Sequence, residues 1–299
     1  MDQSSITEHS NPDKKASDQV ATESLKVQEW LQVNRTDDLK ITWKSPWLFL
    51  EIHRPEQRNA LNGHIIHTLK KVFDFIESAF DIRGVIITGG EENFCSGADL
   101  QEIGRLRAQG ESALIANNKN YGELLHRMHL CRVPVIAMVD GPALGGGMGL
   151  VCVSDLILCT NKSSFGMPEP KLGIIAGQIF PYVFRKLGLV KTQEMALQGL
   201  RVYGRDNAQW GLANQVFDNY NDLQQGVNQV LTHILSCGPQ AIEKTKTMLN
   251  QLTAVSHRDI DQTARDVVAA TLSAEGMEGG MAFLAKRKPH WNQSAVMEL

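Results

Sequence analysis

Apolar positions along the chain fall into short continuous runs separated by longer periodic stretches, a rhythm that predicts strands alternating with helices. Trp47-Leu48-Phe49-Leu50-Glu51-Ile52 reads as a strand. After it, Asn62 is placed to cap a helix whose Ile65, Ile66, Leu69, Val72, Phe73, Ile76 and Phe80 recur at helical spacing. Gly84 to Thr88 is the next strand. A helix over Leu114 to Met128 then precedes a strand at Val135 to Val139, and a helix after Gly146 precedes a strand over Asp155 to Cys159. Such alternation predicts an α/β class with right-handed crossovers. Beyond about Gly188 the signal turns helical, with candidates at Lys191 to Gly199, Arg205 to Gly211, Gln224 to Leu235, Pro239 to Leu252, Arg258 to Leu272 and Met277 to Lys286. The expected organisation is a disordered polar tail over 1–38, an α/β core over 39–220 and a helical region over 221–299. Removing residues before about Asp38 is expected to leave folding intact.

The chain has 299 residues, of which 42% are apolar and 21% charged, enough for a sizeable core. A formal net charge of -3 gives no reason to expect nucleic acid or a membrane surface as partner, so an anionic ligand needs local cations. Val133 to Val153 is as long as a membrane span. Pro134, Asp140, Pro142 and five glycines within it make a lipid-embedded helix costly, so it reads as strand, loop and buried helix. The N-terminal stretch has no apolar segment long enough for a signal peptide or anchor, and the expected location is the cytoplasm. Five cysteines, Cys95, Cys131, Cys152, Cys159 and Cys237, form no C-x-x-C pair and have no histidine at ligand spacing, so neither a disulfide scaffold nor a metal site is expected. Cys95 alone raises the question of an activated thiol.

Three segments carry chemistry. Asp140-Gly141-Pro142-Ala143-Leu144-Gly145-Gly146-Gly147-Met148-Gly149-Leu150 is a strand end that runs through consecutive glycines into a helix, bringing bare backbone N–H groups up to a ligand. Asn93-Phe94-Cys95-Ser96-Gly97-Ala98-Asp99-Leu100 is a polar turn after another strand. Phe165-Gly166-Met167-Pro168-Glu169-Pro170 holds one carboxylate between two prolines.

With these segments, with His53 to Asn62 near the start and with Phe283 to Pro289 near the end, the chain resembles the crotonase (enoyl-CoA hydratase/isomerase) superfamily from roughly Leu39 to Trp291. The resemblance implies a spiral of ββα turns, followed by a C-terminal helical region that packs subunits into a homotrimer or a dimer of trimers. It implies an acyl-CoA substrate, with coenzyme A as part of that substrate and no further cofactor. Backbone N–H groups at Ala98 and Gly146 would form an oxyanion hole, the latter helped by the positive end of its helix. Glu169 would be the proton-transferring carboxylate, its pKa raised by a desolvated pocket. Arg58, Ala60, Ser96, Gly97, Asp99, Leu100, Gly145 and Lys286 would bind the substrate and its CoA moiety.

The chain also departs from that pattern. Family hydratases carry a second glutamate in the helix after the glycines, and this chain has Gly149 there. Three readings remain: hydration of a 2-enoyl-CoA by Glu169 alone, double-bond isomerisation by that single glutamate, or room at Gly149 for a bulky or branched acyl chain with another residue replacing the carboxylate. The segments Gly149 to Asp155 and Leu172 to Pro181 are similar to isohexenylglutaconyl-CoA hydratases, which implies a branched, carboxylated substrate. Its second carboxylate would need a cation, for which Arg105, Arg107, Arg127 and His126 are candidates. Glu56 and Gln101 stand where relatives have lysine, leaving Lys286, Arg287 and Lys288 as further sources of charge for the CoA phosphates. Thioester hydrolysis and non-catalytic acyl-CoA binding are the remaining alternatives.

Overall fold

The computed structural model describes residues 25–34, 36–252 and 260–291. Six strands form the main sheet in the order β1 (Leu39–Lys44), β2 (Trp47–Ile52), β3 (Gly84–Thr88), β4 (Val135–Val139), β6 (Leu156–Thr160) and β9 (Gln215–Phe217). Only the β1–β2 pair is antiparallel. β3 and β4 are buried at every position, the condition that a continuous apolar run satisfies between two cores. Register shows how. Leu50, Ile87, Ala137 and Ile157 lie in one cross-strand row that faces the larger core, and the adjacent row Phe49, Ile86, Ile136 and Leu156 faces the smaller one.

Helix α2 (Gly63–Ile76) starts as expected, with the Asn62 side chain accepting from the Ile65 N–H at 2.8 Å, and the six stripe positions Ile65, Ile66, Leu69, Val72, Phe73 and Ile76 are buried. It stops at Ile76, so Phe80 is exposed beside the Arg132 guanidinium instead of extending the stripe. The outer face of the sheet is covered by α8 (Tyr220–Leu235) through Leu223, Val227 and Leu231. The chain beyond 220 therefore helps to close the second core.

At the C-terminal ends of β2, β3, β4 and β6 the chain turns aside and makes a second, shorter layer. Its contacts are the parallel bridges Leu61–Ala98 and Cys95–Ala143, and a small sheet of β5 (Pro142–Leu144), β7 (Ser164–Gly166) and β8 (Arg201–Tyr203). This is the spiral of ββα turns. Buried Asp140 pins the layer: the Glu92 N–H donates to Oδ2 at 2.8 Å and the Thr160 hydroxyl donates to Oδ1.

Between these come α3 (Leu100–Gln109), α4 (Glu111–Leu130), α5 (Gly146–Val153), α6 (Phe180–Gln198) and the short α7 (Asp206–Gln209). α6 breaks at Gly188 (φ 67°, ψ 177°), which is why only its second half was periodic in sequence. The chain closes with α9 (Pro239–Leu252), α10 (Ile260–Leu272) and α11 (Ala274–Leu284), and α10 packs along α4.

The expected tail differs from the structure over its second half. Residues 25–33 form a helix, α1, with Val27 buried in the main core and Trp30 stacked on Phe75 at 4.7 Å. Asp38 accepts from the Asn62 amide at 2.8 Å. Residues 1–24 lie outside the described part. Beginning the chain at residue 38 instead of 25 should therefore cost about 3 kcal/mol, from one buried valine and one aromatic pair. A urea titration of the two truncations would read this as a lower midpoint for the shorter chain, and equal midpoints would show that α1 contributes nothing.

Candidate active site

Glu169 begins a 3-10 turn over Glu169–Leu172, flanked by Pro168 and Pro170. Pairing of β7 with β5 places Gly166 opposite Leu144, and the Gly145 N–H donates to the Gly166 carbonyl at 3.0 Å. The carboxylate is thereby laid over the glycine run. An ideal Cβ on Gly145 would sit 2.8 Å from Glu169 Oε1, and φ of +51° at this position is one that L side chains rarely adopt. Only glycine lets the carboxylate approach so closely.

Glu169 as a residue is half-buried, yet its Oε2 is sealed from solvent without a hydrogen-bond partner among the described residues. Loss of hydration disfavours the charged form, and its pKa is pushed up to about 7 by burial, against a small opposing effect of its own backbone N–H. A carboxyl group so tuned can take and return a proton near neutral pH.

The two expected oxyanion-hole donors come together. Cys95 N–H donates to the Pro142 carbonyl (2.9 Å) and Leu144 N–H to the Cys95 carbonyl (3.0 Å), locking the two loops side by side. A methyl group on Gly97 would lie 3.6 Å from the Gly146 amide nitrogen. Neither the Ala98 nor the Gly146 N–H donates to a protein acceptor among the described residues. Both residues line the same cavity of about 150 Å³ as Glu169, with Gly146 at the first turn of α5. Two backbone donors and one carboxyl group thus face a common space, as stabilising an enolate and moving its proton require.

Other expected residues have different places. Leu100 lines the cavity. The Asp99 side chain is taken up within the protein: its Oδ1 caps α3 by accepting from Gln101 and Glu102 N–H, and its Oδ2 accepts from Arg54 at 3.0 Å. Its role is to hold the Ala98 turn. The Ala60 carbonyl accepts from the same Arg54 at 2.7 Å. Arg58 is exposed, and its carbonyl accepts from the Ser96 N–H at 3.1 Å, which keeps its loop beside the Ser96–Gly97 turn. Lys286 is exposed just after α11 and does not line the cavity, while Arg287 is engaged by Glu278 through a fork at 2.7 and 2.8 Å. The Cys95 thiol is fully buried and its pKa is pushed up to about 12 by desolvation, which removes it as a nucleophile.

The space at Gly149 is not empty. A Cβ there would lie 2.3 Å from Tyr121 Oη and 2.5 Å from Ile179 Cγ2, so these two side chains occupy what was expected to be room for a branched acyl group. Tyr121 comes from α4, is half-buried with its ring against the main core, and donates its hydroxyl to the Gly146 carbonyl at 2.5 Å. Burial holds its pKa well above the usual phenol value, with the nearby Cys95 and Glu169 adding to the shift. Sequence reading missed it because Tyr121 shares the apolar stripe of Leu114, Leu125 and Met128. The available signal was a hydroxyl-tipped residue on a buried stripe, which needs a partner.

The distal cavity is lined by Leu114 and Ile103 together with neutral amides, Asn117, Asn118 and Gln178. Gln178 donates to Asn118 at 3.0 Å and to the Ile260 carbonyl at 3.2 Å. Among the described residues, no lysine, arginine or histidine lines this cavity. Of the four candidate cations, Arg127 is paired with Asp74 and Glu123, and Arg107 does not line the cavity but donates to the carbonyl of Thr271, which does, at 3.3 Å.

Comparison with known proteins gives the family of the chain. Mevalonyl-coenzyme A hydratase sidH of Aspergillus fumigatus is 32% identical over 259 residues, covering 83% of this chain and 92% of that protein. The peroxisomal Delta(3,5)-Delta(2,4)-dienoyl-CoA isomerase of Arabidopsis thaliana is 28% identical, covering 81% and 91%. Among solved structures, Pseudomonas aeruginosa AtuE superposes with a TM-score of 0.71 at 32% identity, covering 86% of this chain and all of that one. The enoyl-CoA hydratase/isomerase family model matches residues 47–294, and the chain belongs to that family.

Proposed function

We propose that this protein hydrates the 2,3 double bond of an enoyl-CoA thioester, with Glu169 as the one group that both takes and gives the proton. The observation that carries this reading is the buried, unpaired Oε2 of Glu169 in the cavity shared with the Ala98 and Gly146 amides. In the proposed step, the thioester oxygen lies between the two amides and water oxygen bonds to C3. The π electrons move onto the thioester oxygen as an enolate. Glu169 accepts a proton from the water and delivers it to C2, restoring the carbonyl and leaving a 3-hydroxyacyl-CoA. No cofactor is needed beyond the CoA that the substrate carries.

For the acyl chain, the lining supports a carbon skeleton packed on Leu114 and Ile103 with a neutral hydrogen-bonding end among the amides. A hydroxylated branched chain of the mevalonyl kind fits this chemistry. A glutaconyl-type carboxylate would have to pair with Arg107, which bonds the Thr271 carbonyl behind the lining, while Glu102 in the lining would repel it. The implied trimer belongs to the same proposal, supported by exposed Met281, Phe283 and Leu284 on α11.

The test is a mass-spectrometric screen in ¹⁸O-labelled water against straight, branched, hydroxylated and glutaconyl 2-enoyl-CoA and 3-enoyl-CoA esters. Addition of one labelled water to an intact CoA ester is the expected result. Bond migration without label would make the enzyme an isomerase, labelled free acid a hydrolase, and an unchanged panel a binding protein.

A further inference from the structure

Glu169 supplies one acceptor for the attacking water, and a water held at a single point can rotate away from C3. A second fixed acceptor would orient its lone pair. The expected carboxylate is absent at Gly149, and Tyr121 Oη stands 2.3 Å from where that side chain would begin. The phenol lines the cavity with Glu169 and Gly146. Its own proton is committed to the Gly146 carbonyl, so the oxygen keeps lone pairs to offer but has no hydrogen to donate to a ligand.

We propose that Tyr121 Oη is the second acceptor for the attacking water, taking the place of the carboxylate that Gly149 lacks. One hydrogen of the water points to the Glu169 carboxylate and is transferred in the step. The other points to Tyr121 Oη and stays on the water oxygen as the new 3-hydroxyl forms. Tyr121 is neutral before and after, so electrons and protons balance as in the hydration written above. In the reverse direction, the same oxygen accepts from the departing hydroxyl group of a 3-hydroxyacyl-CoA. This assignment rests on the hydratase reading.

Tyr121→Phe keeps the ring that packs beside Gly149 and removes only the oxygen. Two rates are measured on the wild type and this variant: labelled-water addition to the preferred 2-enoyl-CoA, and deuterium wash-in at C2 of the matching saturated acyl-CoA in D₂O. Wash-in needs Glu169 and the oxyanion hole but no attacking water. The expected result is a fall in hydration of about 10-fold to 100-fold, with wash-in changed less than about 3-fold. Equal losses in both rates would overturn the assignment and make Tyr121 a support for the Gly146 loop. Hydration by Tyr121→Phe at the wild-type rate would also overturn it while leaving the hydratase reading intact. A wild type that adds no labelled water would remove both.

Discussion

Glu169→Gln is expected to lower turnover about 1,000-fold while leaving CoA-ester affinity within a factor of a few. The amide keeps the size and most of the polarity of the side chain, so the cavity and the two backbone donors stay in place. What is lost is the proton acceptor. The same variant should be more stable than the wild type at high pH. Glu169 has a pKa of about 7 in the folded protein, above the 4.5 of the free side chain, because burial penalises its charge. The unfolded chain therefore ionises first as pH rises. The stability contributed by the neutral form is fully present below about 4.5 and is lost progressively as pH rises through about 7. The loss amounts to about 3 kcal/mol, and glutamine, having no charge to desolvate, escapes it. Urea midpoints of wild type and variant should coincide near pH 4, separate between about pH 4.5 and pH 7, and keep a constant gap above that, the variant being higher. In the wild type, kcat/KM should rise with pH to a plateau above about 7, where the carboxylate is ionised. Activity retained in Glu169→Gln would place the proton transfer elsewhere, and parallel urea midpoints across pH would show that the carboxyl group is solvated.

How far the sequence discloses this site depends on the length scale of the interactions that build it. Strands β2, β3, β4 and β6 and the capped helix α2 were legible because short apolar runs and helical spacing are written within single segments. The short strands β5, β7 and β8 were not. Three residues each, they owe their pairing to loops fixed elsewhere, above all by the buried Asp140. Helix α3 was missed for a related reason. It has no fully buried residue, and its start is set by the Asp99 cap, which reads in sequence as part of a polar turn. Ala98, Gly146 and Glu169 were found through the pattern of glycines and prolines around them. The pairing of the Asp99 side chain with Arg54 was not legible, because the two lie 45 residues apart. The helix over 25–33 was not legible because Val27, Trp30 and Leu31 make only one turn of helical stripe, too short a periodic signal beside the long polar stretch that precedes them.

Gly149 is where sequence and structure lead to opposite expectations. Restoring a glutamate at the position where family hydratases carry one would, from the motif alone, be expected to improve hydration. The geometry predicts destabilisation. A Cβ already meets Tyr121 Oη at 2.3 Å and Ile179 Cγ2 at 2.5 Å, closer than real Cβ atoms come to their neighbours. Tyr121 does not yield freely, since its ring packs against the main core and its hydroxyl is tied to the Gly146 carbonyl at the start of α5. Ile179 is itself buried against the same core. Gly149→Ala should therefore cost about 1 to 3 kcal/mol through overpacking alone. Gly149→Glu adds a carboxyl group with no cation among the lining residues, for a total of about 4 kcal/mol or more. The expected readout is a urea midpoint that falls in two steps, from glycine to alanine and from alanine to glutamate, with hydration lost in the glutamate variant. Enlarging the space with Tyr121→Ala should return part of the stability to Gly149→Glu, because the two side chains compete for one volume and their effects are not additive. A Gly149→Glu protein as stable as the wild type would mean that Tyr121 and Ile179 can move aside, and the position would then be as permissive as its sequence implies.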